Sequence, residues 1–143
     1  MAAFKFTRAI LAGEPIDVYN KGQMWRDFTY VTDLIRAIEL LILKVPGSSQ
    51  RVDGDTLSPV APFRVVNIGN SVKIHLNEFI DEFDKALGIK SIRNHMEMQP
   101  GDVPATWADA SLLNSLTGYA PNTPISVGVK LFCDWYIDYV AQN

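Results

Sequence analysis

The stretch Asp27-Phe28-Thr29-Tyr30-Val31-Thr32-Asp33-Leu34-Ile35-Arg36-Ala37-Ile38-Glu39-Leu40-Leu41-Ile42-Leu43-Lys44 passes from a β-favouring run straight into a helix. Phe28 to Val31 has strand composition, and Thr32 or Asp33 stands where a side-chain oxygen can cap the helix that follows. From Asp33 to Lys44 the polar strip reduces to Arg36 and Glu39. A helix apolar nearly all round predicts burial on more than one side. Val65-Val66-Asn67-Ile68, ended by Gly69, Asn70 and Ser71, reads as a second apolar strand. Two such strands alternating with helices predict a mixed α/β fold with a partly parallel sheet.

Working outward, Ala2 to Ala12 has helical spacing, with Phe6, Ala9 and Ile10 on one face and Gly13 at its end. It starts without a capping residue or a leader, which leads us to expect a chain cut from something longer. Ile16-Asp17-Val18-Tyr19 alternates as a strand, and Asn20, Gly22 and Gln23 turn it. Residues 45–63, with Pro46, Gly47, Ser48, Ser49, Gly54, Ser58, Pro59 and Pro62, form a variable loop. Leu76, Phe79, Ile80, Phe83 and Leu87 mark the cleanest helix, stopped by Gly88. Ile89 to Met98 is expected as a strand, Gln99-Pro100-Gly101-Asp102 as a turn, and Asp109 as the cap of a helix through Leu116 closed by Gly118. Thr123-Pro124 opens the last helix, whose apolar face takes Ile125, Gly128, Val129, Phe132, Trp135, Tyr136 and Tyr139.

With 143 residues the chain has the length of one domain, and 48% hydrophobic with 20% charged residues is globular composition. The net charge of -3 gives no electrostatic reason to expect nucleic acid. Cys133 is the only cysteine, so no internal disulfide forms. No apolar run reaches the roughly 18 to 20 residues of a spanning helix, so no membrane is expected and the default location is cytoplasmic.

Several tempting features read blandly. Asp53-Gly54-Asp55 lacks the further ligands of a calcium loop and is expected to be a solvated loop. His75 and His95 have no partners at metal-ligand spacing, and Cys133 among Phe132 and Trp135 reads as a small core residue. No glycine-rich loop is present to cradle a dinucleotide, and none of the tyrosines is followed four residues later by lysine. Two positive features remain. Arg26, within Gln23-Met24-Trp25-Arg26-Asp27-Phe28, stands where a guanidinium could clamp a phosphate; a surface or structural ion pair is the alternative. Gln99-Pro100-Gly101-Asp102 offers an amide and a carboxylate to sugar hydroxyls, with a plain turn as the alternative.

Five ordered stretches carry a resemblance: Phe4-Lys5-Phe6-Thr7-Arg8-Ala9-Ile10, Ile16-Asp17-Val18-Tyr19-Asn20, Arg26-Asp27-Phe28-Thr29-Tyr30-Val31, Val66-Asn67-Ile68-Gly69-Asn70 and Gln99-Pro100-Gly101-Asp102-Val103-Pro104-Ala105-Thr106. Together they resemble the C-terminal, substrate-binding portion of NAD-dependent nucleotide-sugar epimerases of the extended short-chain dehydrogenase/reductase type, nearest the UDP-glucuronate 4-epimerase branch. The resemblance covers essentially the whole chain and less than half of a family member. It implies an α/β fold of Rossmann type lacking its N-terminal nucleotide-binding half, with 28–44 and 65–69 packing on that missing half. It implies UDP-sugar as ligand: Arg26 on the diphosphate, Asp102 on the ribose hydroxyls, Gln99 near the phosphates, and the backbone of Val18 and Tyr19 at the uracil edge. NAD and the catalytic residues belong to the missing half, so no catalytic, cofactor or metal residue is assigned here. An isolated portion of this kind is expected to self-associate or exchange strands. A non-enzymatic nucleotide-sugar binding or scaffolding fragment, or part of a related decarboxylase or dehydratase, are the alternatives.

Overall fold

The computed structural model describes residues 2–47 and 51–142, so Ser48 and Ser49 of the expected loop lie outside the described residues. In chain order the elements are α1 (Ala2–Ala12), β1 (Ile16–Val18), a 3-10 turn (Tyr19–Gly22), β2 (Trp25–Arg26), α2 (Val31–Ile42), β3 (Ile74–His75), α3 (Leu76–Leu87), β4 (Arg93–His95), α4 (Ser111–Thr117) and α5 (Ile125–Ala141). Where length suggested one domain, the chain forms two compact units. The first gathers Met1–Arg26, Lys73–Thr106 and Pro124–Asn143; the second gathers Asp27–Val72 and Trp107–Thr123. Among the described residues no helix is long and apolar enough to cross a membrane.

In the first unit α1, α3 and α5 pack on one another. Phe6 and Ile10, four residues apart on one helix face, are buried with Phe79, Ile80 and Phe83 of α3. The rings of Phe79 and Phe83 meet edge-on at 5.0 Å, the preferred geometry for an aromatic pair. Cys133 is fully buried beside the Thr7 hydroxyl, 4.0 Å away, and burial pushes its thiol pKa up. The expectation of a small core residue holds. Gly13 and Gly88 close α1 and α3 at φ 68° and 67°, the left-handed turn that glycine adopts without strain. α5 starts at Ile125, with Pro124 in the cap position rather than the first helical one. Its buried stripe is Val129, Cys133 and Tyr136; Trp135 and Tyr139, expected on that face, are half exposed and stack on each other at 5.3 Å.

The strands are shorter than expected. β1 pairs in parallel with β4, Ile16 opposite Arg93 and Val18 opposite His95. The strand expected over Ile89–Met98 therefore reduces to three residues. β2 pairs antiparallel with β3, Trp25 opposite His75 and Arg26 opposite Ile74. Beneath β4, the Arg93 guanidinium reaches Asp81 at 2.7 Å and Asp84 at 2.9 Å, and Lys90 joins Asp84 at 2.9 Å. Asp84 also accepts the Ser91 N–H at 2.9 Å. Burial works to raise the Asp84 carboxyl, but the bonds from Lys90, Ser91 and Arg93 outweigh it and hold the group below its ordinary value.

In the second unit the core is small: Ala37, Ala110 and Leu113, with Leu41, Val66, Ile68 and Tyr119 packed against them. Neither Phe28–Val31 nor Val65–Ile68 forms the strand expected of it. A strand exists only with a neighbour to accept its ladder, and among the described residues this unit contains none. α2 forms as expected but buries only Ala37. Leu34, Ile35, Ile38 and Ile42 are 37%, 50%, 42% and 68% exposed, so burial on more than one side is not met within the unit.

Carboxylates do much of the fastening here. Asp27 accepts backbone N–H groups from Asn70 (3.2 Å), Ser71 (2.9 Å) and Ala108 (3.1 Å), tying three segments together. Gly69 sits against this knot: a Cβ there would collide with the Ala108 methyl and lie 2.9 Å from Asp27 Oδ2. Asp33 was expected as a helix cap. Instead α2 begins at Val31, and the Asp33 carboxylate accepts from Tyr119 Oη (3.0 Å) and the N–H groups of Asn122 (3.2 Å) and Thr123 (2.9 Å). Burial opposes ionisation of Asp33, but these bonds, from Thr123 foremost, lower its pKa. Asp109 bonds the Ser111 N–H at 2.9 Å at the start of α4, which Gly118 closes at φ 70°. Asp55 corrects the picture of Asp53-Gly54-Asp55 as a solvated loop. Its carboxylate and the Arg64 guanidinium are each 3% exposed and meet through two bonds of 2.8 and 2.9 Å. A buried carboxylate must be paired, and this one organises the loop.

Gly69→Ala should cost about 1–3 kcal/mol by overpacking, read as a lower urea midpoint with unchanged far-ultraviolet circular dichroism. The Asp84 carboxyl predicts an acid limb. Its folded pKa lies below the ordinary 3.8, so its stabilisation is complete above that value and disappears as pH falls through the lower folded one. Urea midpoints measured through this range should fall toward acid pH, and Asp84→Asn should flatten that limb.

Candidate functional site

β2 is two residues long and held on both edges. On one side it pairs with β3, and Met24 extends the contact by accepting the Leu76 N–H at 2.8 Å. On the other, Trp25 donates to the Pro104 carbonyl (2.9 Å) and accepts from the Thr106 N–H (3.1 Å). These bonds bring the segment after the Gln99–Asp102 turn alongside β2. Gly101 makes that turn at φ 84°, and the Asp102 N–H closes it on the Gln99 carbonyl at 3.2 Å.

The result is the pairing of the two residues singled out in the sequence. Arg26 Nη2 donates to Asp102 Oδ1 at 2.8 Å, and Arg26 Nη1 donates to the Trp25 carbonyl at 2.8 Å. Asp102 Oδ1 also accepts the Val103 N–H at 2.9 Å. The side chains remain 25% and 34% exposed, so the pair lies at the surface with access to solvent and ligands. A guanidinium has five N–H donors, and two are used by these contacts. Among the described residues Asp102 Oδ2 accepts no hydrogen bond. A cation and an open carboxylate oxygen thus stand side by side, the combination needed to hold a phosphate and a neighbouring hydroxyl.

Gln99 is exposed and shares the turn with Asp102. Val18 and Tyr19 lie at the end of β1 in the same unit. The Val18 side chain is fully buried, its carbonyl accepts the Met96 N–H at 3.0 Å, and Tyr19 opens the 3-10 turn. The strand that pairs with them, β4, leads through Met96 into the Gln99 turn. Sequence reasoning missed the part played by Trp25. Its carbonyl accepts from both Arg26 and Thr106, and its ring stands edge-on to His75 at 4.8 Å. Alternation was the available signal: a residue next to Arg26 in a strand turns its side chain to the other face. His75 caps α3, its Nδ1 accepting the Asn77 N–H at 3.4 Å. Among the described residues no group of three His, Cys, Asp or Glu side chains could hold a metal ion.

The dinucleotide of the family does not fit these residues. A pyrophosphate is held where a strand passes through a glycine-rich turn into a helix N-terminus. Here β3 runs directly into α3, whose first turn is capped by His75, and the residues between β2 and α2, Asp27 to Tyr30, include no glycine.

Comparison with known proteins places the chain beside proteins of one family. Residues 1–55 match the NAD dependent epimerase/dehydratase family. The chain is 46% identical over 140 residues to a probable UDP-glucuronate 4-epimerase of Rhizobium meliloti, covering 95% of this chain and 41% of that protein. It is 45% identical over 146 residues to the protein CapI of Staphylococcus aureus, covering 99% of this chain and 43% of that one. Among solved structures, a mutant UDP-glucuronic acid 4-epimerase from Bacillus cereus, in complex with UDP-4-deoxy-4-fluoro-glucuronic acid and NAD, superimposes with a TM-score of 0.79. That match has 25% identity over 97% of this chain and 40% of that one. The chain thus spans about two-fifths of the length of the relatives it matches. Along almost its whole length it is similar to one part of the NAD-dependent nucleotide-sugar epimerases of the extended short-chain dehydrogenase/reductase type.

Proposed function

We propose that the chain is the C-terminal, UDP-sugar-gripping portion of an NAD-dependent 4-epimerase acting on UDP-glucuronate in the cytoplasm. Arg26 holds the diphosphate, Asp102 takes the ribose hydroxyls, Gln99 lies by the phosphates, and the backbone of Val18 and Tyr19 meets the uracil. The observation that carries this reading is the Arg26–Asp102 pair, a guanidinium and a carboxylate fixed 2.8 Å apart at an accessible edge. The names of the relatives supply the substrate class; the pair supplies the chemistry to bind it.

No step of hydride chemistry falls to residues of this chain. NAD and the groups that move protons belong to the N-terminal portion, against which residues 28–44 and 65–69 pack. The exposed Leu34, Ile35, Ile38, Ile42 and Val65 support that packing, because an apolar surface of this extent is normally covered. Without that cover the isolated chain self-associates through the same surface.

Titration calorimetry with UDP tests the reading. The chain should bind UDP, and Arg26→Ala should weaken binding by roughly 10- to 100-fold, the loss of a hydrogen-bonded charge on phosphate. The same variant should move stability by no more than about 1 kcal/mol, since the pair is partly exposed, so lost binding is not lost folding. No heat with UDP, or equal heat from Arg26→Ala, overturns the proposal, and so does epimerase turnover by the chain alone.

A further inference from the structure

His75 joins the edge that carries Arg26 to the helix behind it. Its backbone stands opposite Trp25 in the β2–β3 ladder, and the next residue, Leu76, donates its N–H to the Met24 carbonyl at 2.8 Å. Its ring caps α3, with Nδ1 accepting the Asn77 N–H at 3.4 Å, and lies edge-on to the Trp25 ring at 4.8 Å. Asn77 in turn fills the space beside Gly22, where a Cβ would collide with its side-chain amide. The ladder, the cap and the turn before β2 therefore meet at three consecutive residues, His75 to Asn77.

This cap depends on protonation. Nδ1 accepts only in the neutral ring, and a second proton turns it into a donor. It would then face the Asn77 N–H, donor against donor, at a helix N-terminus whose dipole disfavours positive charge. An imidazolium has other partners within the same few residues. The Trp25 ring is an aromatic neighbour for a cation. Asn77 Oδ1 is buried and, among the described residues, accepts no hydrogen bond. Of the charged groups around the ring, Glu78 in the first turn of α3 favours the charged form, and Lys73, two residues before, opposes it. β2 presents Trp25 to the ring and turns Arg26, opposite Ile74, to the other face. The turn at Gly22 brings Lys21, which is paired with Glu97 at 2.9 Å.

From this we propose that His75 is a proton-sensitive catch on the β2 edge. Neutral, it caps α3 and fixes the junction to which Met24 and Trp25 are bonded. Protonated, it releases the Asn77 N–H and slackens the strand that carries Arg26. As regulation of ligand binding the proposal rests on the nucleotide reading above; the catch itself does not. The sign follows from the cap: the edge is held at alkaline pH and loosens between pH 8 and 5, the interval in which histidine rings change charge.

Amide hydrogen exchange and UDP titration, both read by NMR, test the two parts separately. His75→Asn and His75→Asp are the controls, because each keeps a capping oxygen and neither changes charge between pH 8 and 5. With the intrinsic pH dependence of exchange removed, the Leu76 and Asn77 amides of the unsubstituted chain should lose protection roughly fivefold from pH 8 to pH 5, the loss of one cap. In both variants they should keep it. The UDP affinity of the unsubstituted chain, divided by that of His75→Asn at the same pH, should fall by a similar factor; the ratio cancels the titration of the phosphate itself. If the two amides keep their protection in the unsubstituted chain, or lose it equally in the variants, the inference fails while the nucleotide reading stands. If protection falls and the affinity ratio does not, the catch does not regulate the site and the inference is overturned. If the chain binds no UDP at any pH, the nucleotide reading fails and the regulation falls with it.

Discussion

The backbone bonding of Met24 on one edge and of Trp25 on the other is the constraint from which the candidate site follows. A two-residue strand has almost no stability of its own, since fixing each residue costs about 1–2 kcal/mol of backbone entropy. β2 exists because Leu76, Pro104 and Thr106 hold its backbone from both sides. The same bonds set how closely the Gln99–Asp102 turn approaches Arg26. Asp102 and Arg26 are 76 residues apart in sequence, and their 2.8 Å contact follows from that backbone placement rather than from attraction between two exposed charges. An exposed ion pair is too weak to bring two chain segments together, but it orients side chains that the backbone has already brought into reach.

Hydrogen-bonded carboxylates join segments that the apolar core does not. The core of the second unit centres on two alanines and a leucine, Ala37, Ala110 and Leu113, which is little apolar area to bury. Asp27, Asp33 and Asp55 each accept several donors from distant segments or from a buried arginine. A carboxylate has room for about four donors, so one side chain satisfies backbone N–H groups that a loop would otherwise leave unpaired. In the first unit Asp84 does the same for Ser91, Lys90 and Arg93 beneath β4, where three helices already supply an aromatic core.

How much of this was legible in the sequence depended on whether the deciding interaction was local. Ala2–Ala12 and Leu76–Leu87 could be read because helical hydrogen bonds and glycine stops lie within a few residues of each other. The closing glycines Gly13, Gly88 and Gly118 were legible for the same reason. Strands were not. Val65–Ile68 has the composition of a buried strand but no partner in its unit, whereas Trp25–Arg26 and Ile74–His75 form a ladder without any marked strand pattern. The polar knots were equally hidden, because nothing near Asp27 reveals that Ser71 and Ala108 will point their N–H groups at it. In the site, Arg26 and the Gln99–Asp102 turn stand out by their chemistry, the resemblance implies their roles, and the structure adds the contact between Arg26 and Asp102. The contribution of Trp25 had only alternation beside Arg26 as its sign, because it acts through a backbone N–H and carbonyl that nearly every residue possesses.

The contrast between the two units bears on how the chain works. The first unit buries Phe6, Phe79, Phe83 and Tyr136 and carries every residue named for nucleotide binding. The second forms its helices and its carboxylate knots yet leaves an apolar helix face uncovered and an apolar run without a ladder. Local propensity and hydrogen bonds therefore suffice to shape the second unit, while its hydrophobic side chains remain matched to a surface of their own kind. Asp27 follows Arg26 directly, so the residue that ties the second unit together is covalently attached to the one that grips the proposed ligand. The first unit is closed by its own aromatic packing, whereas the second keeps an apolar helix face that its own residues leave exposed.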